Sequence, residues 1–321
     1  MRTLTAIVFA SASVALAAVD GVAVNGTTGK PQPSVMVSVV QPGPSGMQTL
    51  ASVKSGADGK FAIETRIPPG PTILQGVYQG VIYNLVLTPG APVNNLQLTV
   101  YDATTSAASA KIAQHLMVIE PMANALQISE TFLAQNETHQ TYLDPAKGSI
   151  QFYLPEAVRD KVQVTIAAPG GMPINRPAES TKKPGVYKAS YPLKPGETRF
   201  EFSYSLPASG TFSGRNADPA TPISLVTPSA VTLTGDGIES KGQEPQTQAH
   251  IYAVIAPTFD LKIEGTGSLR GPDGAESQED TGRPEVTVES ARIYTKLFWV
   301  LGLTLAILAL GGVTLYRKSA S

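Results

Sequence analysis

Cysteine is absent from this 321-residue chain. No disulfide can staple it and no thiolate can serve as a nucleophile, so whatever folds must be held by hydrophobic cores. Histidine is scarce: His115, His139 and His250 are the only three, and no pair has an H-x-x-x-H spacing. A metal site would need them to converge with carboxylates from separate strands. Charged residues make up 15% of the chain and the net charge is −1. That balance lacks the strong field by which nucleic acid or an anionic surface is recognised. Tryptophan occurs once, at Trp299, which removes from the rest of the chain the ring most used to stack sugars.

What is abundant is turn chemistry. Glycine and proline number 29 and 26, a load that many short strands joined by tight turns would carry. Long apolar runs are confined to the two ends. Leu297 to Tyr316 is a run of twenty residues without a charge, enough for a helix of roughly 30 Å, the thickness of a bilayer's hydrocarbon core. Residues 295–316 are therefore expected to form one transmembrane helix, with 317–321 as a cytoplasmic tail beginning at Arg317 and Lys318. Trp299, Tyr294 and Tyr316 bracket the span as interfacial anchors. Gly302 and Ala306 form a small-x-x-x-small pair on it, and Gly311 and Gly312 also favour close helix packing, although simple anchoring needs neither. At the other end Met1-Arg2-Thr3 precedes an apolar stretch from Leu4 to Leu16 and the small residues Ala15-Leu16-Ala17. Residues 1–17 thus have the form of a signal peptide. Together these place the body outside a cell membrane, periplasmic or extracellular, with a single pass and the C-terminus inside.

The body is expected to be all-β, with two or three tandem β-sandwich domains. In residues 19–102, Val22 and Val24 alternate with Ala23 and Asn25, and Val35, Val37 and Val39 share one face. Ala57-Asp58-Gly59-Lys60 marks a hairpin before Phe61 and Ile63, Pro68-Pro69-Gly70 a further turn, and Val81 to Leu87 and Leu96 to Tyr101 complete about seven strands. Residues 108–264 continue the alternation. Leu126, Ile128 and Phe132 lie on one face, then Ile150, Phe152 and Leu154, then Val162, Val164 and Ile166. Tyr187, Ala189 and Tyr191 follow, with Phe200, Phe202 and Tyr204, and later runs at Ala230 to Leu233, Ile251 to Ile255 and Phe259 to Ile263. About eight to ten strands indicate one large sandwich or two small ones, with Ser213 to Pro222 as the best candidate linker. Residues 265–291 are expected to be a flexible stalk, being polar and poor in large apolar groups.

The first region resembles the carboxypeptidase regulatory-like, or prealbumin-like, domain. The matching residues are Gly21-Val22-Ala23-Val24, Gly29-Lys30-Pro31, Val35-Met36-Val37, Asp58-Gly59-Lys60-Phe61 and Pro69-Gly70. Ser55 stands where the family usually has Thr. The resemblance implies a small non-catalytic sandwich, and such domains share no common active site.

Chemistry has few candidates. No G-x-S-x-G is present. Asp58-Gly59 and Gly235-Asp236-Gly237 fit hairpin turns better than calcium loops, since neither has spaced acidic ligands. Tyr78, Tyr83, Tyr187 and Tyr191 are the rings left for stacking sugars, with core packing as the plainer role. Asn25-Gly26-Thr27 and Asn136-Glu137-Thr138 match glycosylation sequons, which matter only in a eukaryotic host. No catalytic, cofactor-binding or metal-binding residue is assigned, and the chain is read as a non-enzyme without cofactor. The reading is a membrane-anchored cell-envelope protein that binds another envelope protein or has a structural role. The alternative is a surface-displayed carbohydrate-binding module.

Overall fold

The structure is a computed structural model and describes residues 18–43, 46–158 and 161–269. The expected leader, membrane span and tail, and all but the first residues of the expected stalk, lie outside the described residues. Among the described residues no helix is long and apolar enough to cross a membrane. They form an all-β body of several sheets, interrupted by a single 3-10 turn at Ala107–Ser109.

The first eight strands are β1 (Ala18–Asn25), β2 (Lys30–Pro31), β3 (Met36–Gly43), β4 (Gly46–Lys54), β5 (Lys60–Glu64), β6 (Thr72–Tyr78), β7 (Val81–Leu87) and β8 (Leu96–Val100). β1 pairs with β2 and β5 antiparallel and with β8 parallel, while β4-β3-β6-β7 form a second four-stranded sheet. Val35, Val37, Val39 and Leu74 from one sheet meet Val19, Ala23, Phe61 and Leu98 from the other in one core. On β1 the inward positions are Val19 and Ala23, and the larger Val22 and Val24 lie on the half-covered outer face. Gly21 explains part of this: a β-carbon there would stand 2.1 Å from the Leu96 carbonyl oxygen, so only glycine lets β8 approach. Gly59 turns the chain into β5 at φ 73°, where a side chain is strained.

Strands β9 (Ala103–Thr104), β10 (Lys111–Pro121), β11 (Ala125–Asn136), β12 (Thr141–Tyr142), β13 (Ile150–Tyr153), β14 (Gln163–Ala167), β15 (Ile174–Pro177) and β16 (Glu179–Ser180) follow. After them come β17 (Val186–Ala189), β18 (Gly196–Pro207), β19 (Thr211–Arg215), β20 (Ile223–Thr227), β21 (Thr232–Asp236), β22 (Ile238–Gln243), β23 (His250–Val254) and β24 (Thr258–Glu264). Eight of them make one continuous sheet in the order β15-β14-β18-β11-β10-β20-β23-β22. Two three-stranded sheets, β13-β17-β16 and β19-β24-β21, supply the opposing layers. The large sheet buries one face along its length: Ile166 on β14, Phe200 on β18, Phe132 on β11, Ile119 on β10, Leu225 on β20 and Tyr252 on β23 belong to a single core. Phe152 of one small sheet packs 4.3 Å from Phe202, and in the other layer Phe212 and Phe259 pack 6.1 Å apart. The second region is therefore two sandwiches that share a sheet. Its seam is the parallel pairing of β10 with β20, which registers His115 against Ile223.

Three expectations change. The second region has more strands than the alternating runs indicated, because edge strands such as β15 and β22 are polar and exposed. Ser213 to Pro222 is no linker: Ser213, Gly214 and Arg215 pair with β24 inside a core layer. The start of the expected stalk is tied to the body, since Gly267 donates to the Pro121 carbonyl and both Ser268 Oγ and Leu269 N donate to Glu120.

The two regions join through a polar and aromatic contact. β9 pairs with β12, and Leu143 packs on the first sandwich's core. Tyr83 donates or accepts at 2.9 Å with Thr141 Oγ1 and lies 2.9 Å from the Tyr101 carbonyl. Thr27 Oγ1 donates to the His139 carbonyl, and Lys194 sits over the Tyr83 ring at 5.2 Å. Burial there holds the Lys194 ammonium below its ordinary pKa and pushes the Tyr83 phenol up. Substituting Gly21→Ala is expected to cost about 1–3 kcal/mol by forcing β8 from β1, measured by urea unfolding; wild-type stability in that variant would contradict the close approach.

Candidate functional site

Period-two alternation puts three polar groups on the buried face of the large sheet. β10 turns His115, Met117 and Ile119 inward, β11 turns Ile128, Glu130 and Phe132 inward, and β18 turns Phe200, Phe202 and Tyr204 inward. The register sets His115 opposite Phe132 and Glu130 opposite Met117, so imidazole and carboxylate meet on the diagonal. His115 Nε2 lies 2.8 Å from Glu130 Oε2, and Tyr204 donates to Glu130 Oε1 at 3.1 Å. The His115 and Glu130 side chains are 6% and 1% exposed. The His115 ring stacks on Phe132 with centroids 3.7 Å apart.

Glu130 thus receives one donor at each oxygen, the arrangement a buried carboxylate requires. Burial, reinforced by the Glu130 charge and hydrogen bond, raises the Tyr204 phenol well above its ordinary value. With Nε2 committed to Glu130, the other ring nitrogen of His115 has no partner among the described residues. His115 borders a cleft also lined by Ile112, Phe132, Lys147, Ile150 and Asp218.

The residues considered from sequence are dispersed. His139 lies at the junction and offers only its carbonyl, to Thr27, while His250 contacts Gln243 and the Ser229 carbonyl on β23. Among the described residues no three His, Asp or Glu side chains gather closely enough to hold a metal ion. Tyr83 and Tyr187 are buried, and Tyr78 and Tyr191 are partly buried. Asp58 closes its turn by accepting from Lys60 N at 3.1 Å, which holds its carboxyl below the usual range. Gly235 and Gly237 both have positive φ at the β21–β22 turn. The two sequon asparagines are each 3% exposed. Asn25 Nδ2 donates to Gln32 and Asp102, and Asn136 Nδ2 to the carbonyls of Gln140 and Leu193. In both, Oδ1 accepts from the threonine N–H two residues on, so the Asn-x-Thr pattern closes an Asx-turn at a strand end.

The Glu130 cluster is what sequence reading passed over. Its signal was the charged residue at position 130, between Ile128 and Phe132 on a face where alternation demands an apolar side chain.

No family model matches the chain, and no curated protein does. Among solved structures, an M1 zinc metallopeptidase from Deinococcus radiodurans aligns at 9% identity and a TM-score of 0.24, covering 47% of this chain and 42% of that one. A mutant of that enzyme with a Tyr-ser-ala substrate aligns at 10% identity and a TM-score of 0.26 over the same shares. The chain spans less than half the length of those structures, and likenesses this slight carry neither fold nor function.

Removing the Tyr204 hydroxyl leaves Glu130 one donor short. Tyr204→Phe is expected to destabilise by about 1–3 kcal/mol at neutral pH. The pH dependence has a definite sign. Because the folded phenol titrates above the ordinary 10.0, its contribution is complete below pH 10 and is lost as pH rises beyond it. Urea midpoints from pH 7 to 11 should fall less steeply above pH 10 in Tyr204→Phe than in wild type; parallel curves would contradict the buried placement.

Proposed function

We propose that the protein is a membrane-anchored, single-pass cell-envelope protein whose extracytoplasmic sandwiches hold a binding surface away from the bilayer for another envelope protein. In this reading the first sandwich is of the carboxypeptidase regulatory-like type, residues 1–17 are a cleaved leader and residues 295–316 are the span. One observation carries it: the joint to the first sandwich and the chain's last described residues lie at opposite ends of the β10–β11 hairpin. His139 and Thr141, just past the end of β11 and so beside the start of β10, contact Thr27 and Tyr83 at the joint, whereas Gly267, Ser268 and Leu269 are fastened to Glu120 and Pro121 at its close. β10 has 11 residues, about 35 Å of strand. The first sandwich thus lies at the end of the hairpin away from Leu269, and the buried contacts of Tyr83 and Thr141 hold it there.

The carbohydrate-binding alternative has less behind it, since the four tyrosines considered for sugar stacking are wholly or partly buried. The absence of cysteine makes the main reading easy to test. In the full chain reconstituted into liposomes, a fluorophore on Met122→Cys should be quenched more strongly by a headgroup quencher than one on Ala91→Cys, at the far end of the first sandwich. Equal or reversed quenching would overturn the orientation. A photocrosslinker at Ala91 in the native membrane should give one discrete protein adduct that the same group at Met122 does not. No adduct from the first sandwich would overturn the binding role.

A further inference from the structure

The second sheet of the first sandwich ends in a strand open on one side. β7 pairs only with β6, so its far side is a free edge among the described residues. Its 7 residues, VIYNLVL, include no charge, proline or glycine, and its pairing has no bulge. Other edges of the body are guarded: β22 by Glu239, Lys241 and a bulge, β15 by Arg176 and Pro177.

The β6–β7 turn fixes which groups of that edge are free. Between the paired Tyr78 and Val81, Gln79 and Gly80 have φ of 46° and 77°, both positive as a two-residue I′ turn requires. The pair closing such a turn exchanges both hydrogen bonds, and alternate pairs repeat the exchange. Val81, Tyr83, Leu85 and Leu87 therefore direct their backbone groups at β6. The N–H and C=O of Ile82, Asn84 and Val86 point off the sheet, and none has a partner among the described residues.

The same three side chains stand on the sheet's outer face, where Ile82 is 47% and Val86 58% exposed. Register carries each into a row. Ile82 lies beside Val77 and Met36, and Val86 beside Ile73. Between these apolar rows Asn84, Gln75, Ser38 and Ser52 form a polar one, joined by Gln75–Asn84 and Ser38–Ser52 hydrogen bonds of 3.3 and 2.8 Å.

We propose that β7 pairs antiparallel with β7 of a second copy, about a two-fold axis through Asn84. That axis sets Asn84 opposite itself and Ile82 opposite Val86, so every free N–H meets a free C=O. Moving it by one residue would leave Val86 or Ile82 unpaired. The side chains agree: the Ile82 row runs on into the Val86 row of the second copy, and the polar row meets its own image. The edge is thus complementary to itself, which selects a second copy over an unrelated strand. It is about 23 Å long on a sandwich about 10 Å deep, well under the ~800 Å² per partner of a standard interface. The dimer is therefore weak in solution and grows with local concentration.

β7 starts at the joint, where Ala103 N donates to Gln79 and Tyr83 meets Thr141, and runs away from it. The axis turns the second copy end for end, so the two second regions lie at opposite ends of the dimer. In the tethered reading the pair joins facing bilayers, and that consequence alone rests on it.

Without native cysteines, single cysteines report the register when the full chain is oxidised in detergent micelles. Hydrogen-bonded antiparallel partners stand about 5.5 Å apart at Cα, within reach of a disulfide. Asn84→Cys is expected to form a disulfide dimer by itself. Ile82→Cys and Val86→Cys should each stay monomeric alone and cross-link when mixed, while Gln75→Cys, one strand in, should stay monomeric. Adding Asn84→Lys to both members of the mixed pair sets two ammoniums face to face. It should lower the yield about three- to tenfold at an unchanged urea midpoint. No dimer from Asn84→Cys, a dimer from Ile82→Cys alone, equal yield from Gln75→Cys or full yield with Asn84→Lys would overturn the pairing. Liposomes carrying the full chain should cluster, and those carrying Asn84→Lys should not. Disulfides in the expected register without clustering would uphold the pairing and count against the tether.

Discussion

Everything in the second region depends on covering one face of an eight-stranded sheet without a disulfide. A sheet that wide is buried only if its opposing layer is equally wide, and here two three-stranded sheets share the task. The parallel pairing of β10 with β20 closes the arrangement by bringing together strands separated by about a hundred residues. Parallel pairs need long crossovers, and this one contains an entire half-sandwich. Because both small sheets pack on one core, loss of either would expose the apolar face of the other's support.

Buried polar groups are concentrated where layers end or meet. Asn25 and Asn136 each finish a strand and turn the chain, Asn25 donating to Asp102 and Asn136 to the Leu193 carbonyl. Tyr83 spans the same joint with an apolar ring in the first core and a hydroxyl on Thr141. Glu130 sits where the two small sheets part, and its cost is offset by His115 and Tyr204. The same physical need, a partner for each buried donor and acceptor, fixes the joint and shapes the cleft.

Much of the fold was legible in residue alternation. Val35, Val37 and Val39 point inward as their spacing requires, as do Phe152, Val164 and Phe200. What escaped was polar. β22, with the sequence IESKGQ, is an exposed edge whose charges and bulge protect it from pairing, so it carries no apolar alternation. β10, by contrast, shows no alternation because Leu116 and Val118 fill outward positions between the inward His115, Met117 and Ile119, so the run is apolar on both faces. The sharing of one sheet by two sandwiches was illegible for a different reason: it rests on the β10–β20 register, a non-local contact that no window of sequence contains. Leader, stalk and span remain expectations from composition, since they fall outside the described residues save for the stalk's first five positions.

The central claim is that the β10–β11 hairpin and the Tyr83–Thr141 joint make one rigid body with the first sandwich at one end and Leu269 at the other. Its most direct test is the distance between spin labels on Ala91→Cys and Met122→Cys in the full chain, measured by pulsed electron resonance. The account predicts a single narrow distribution beyond about 35 Å, the rise of β10 alone, unchanged between detergent and liposomes. A broad or two-peaked distribution, or a shorter distance, would contradict it.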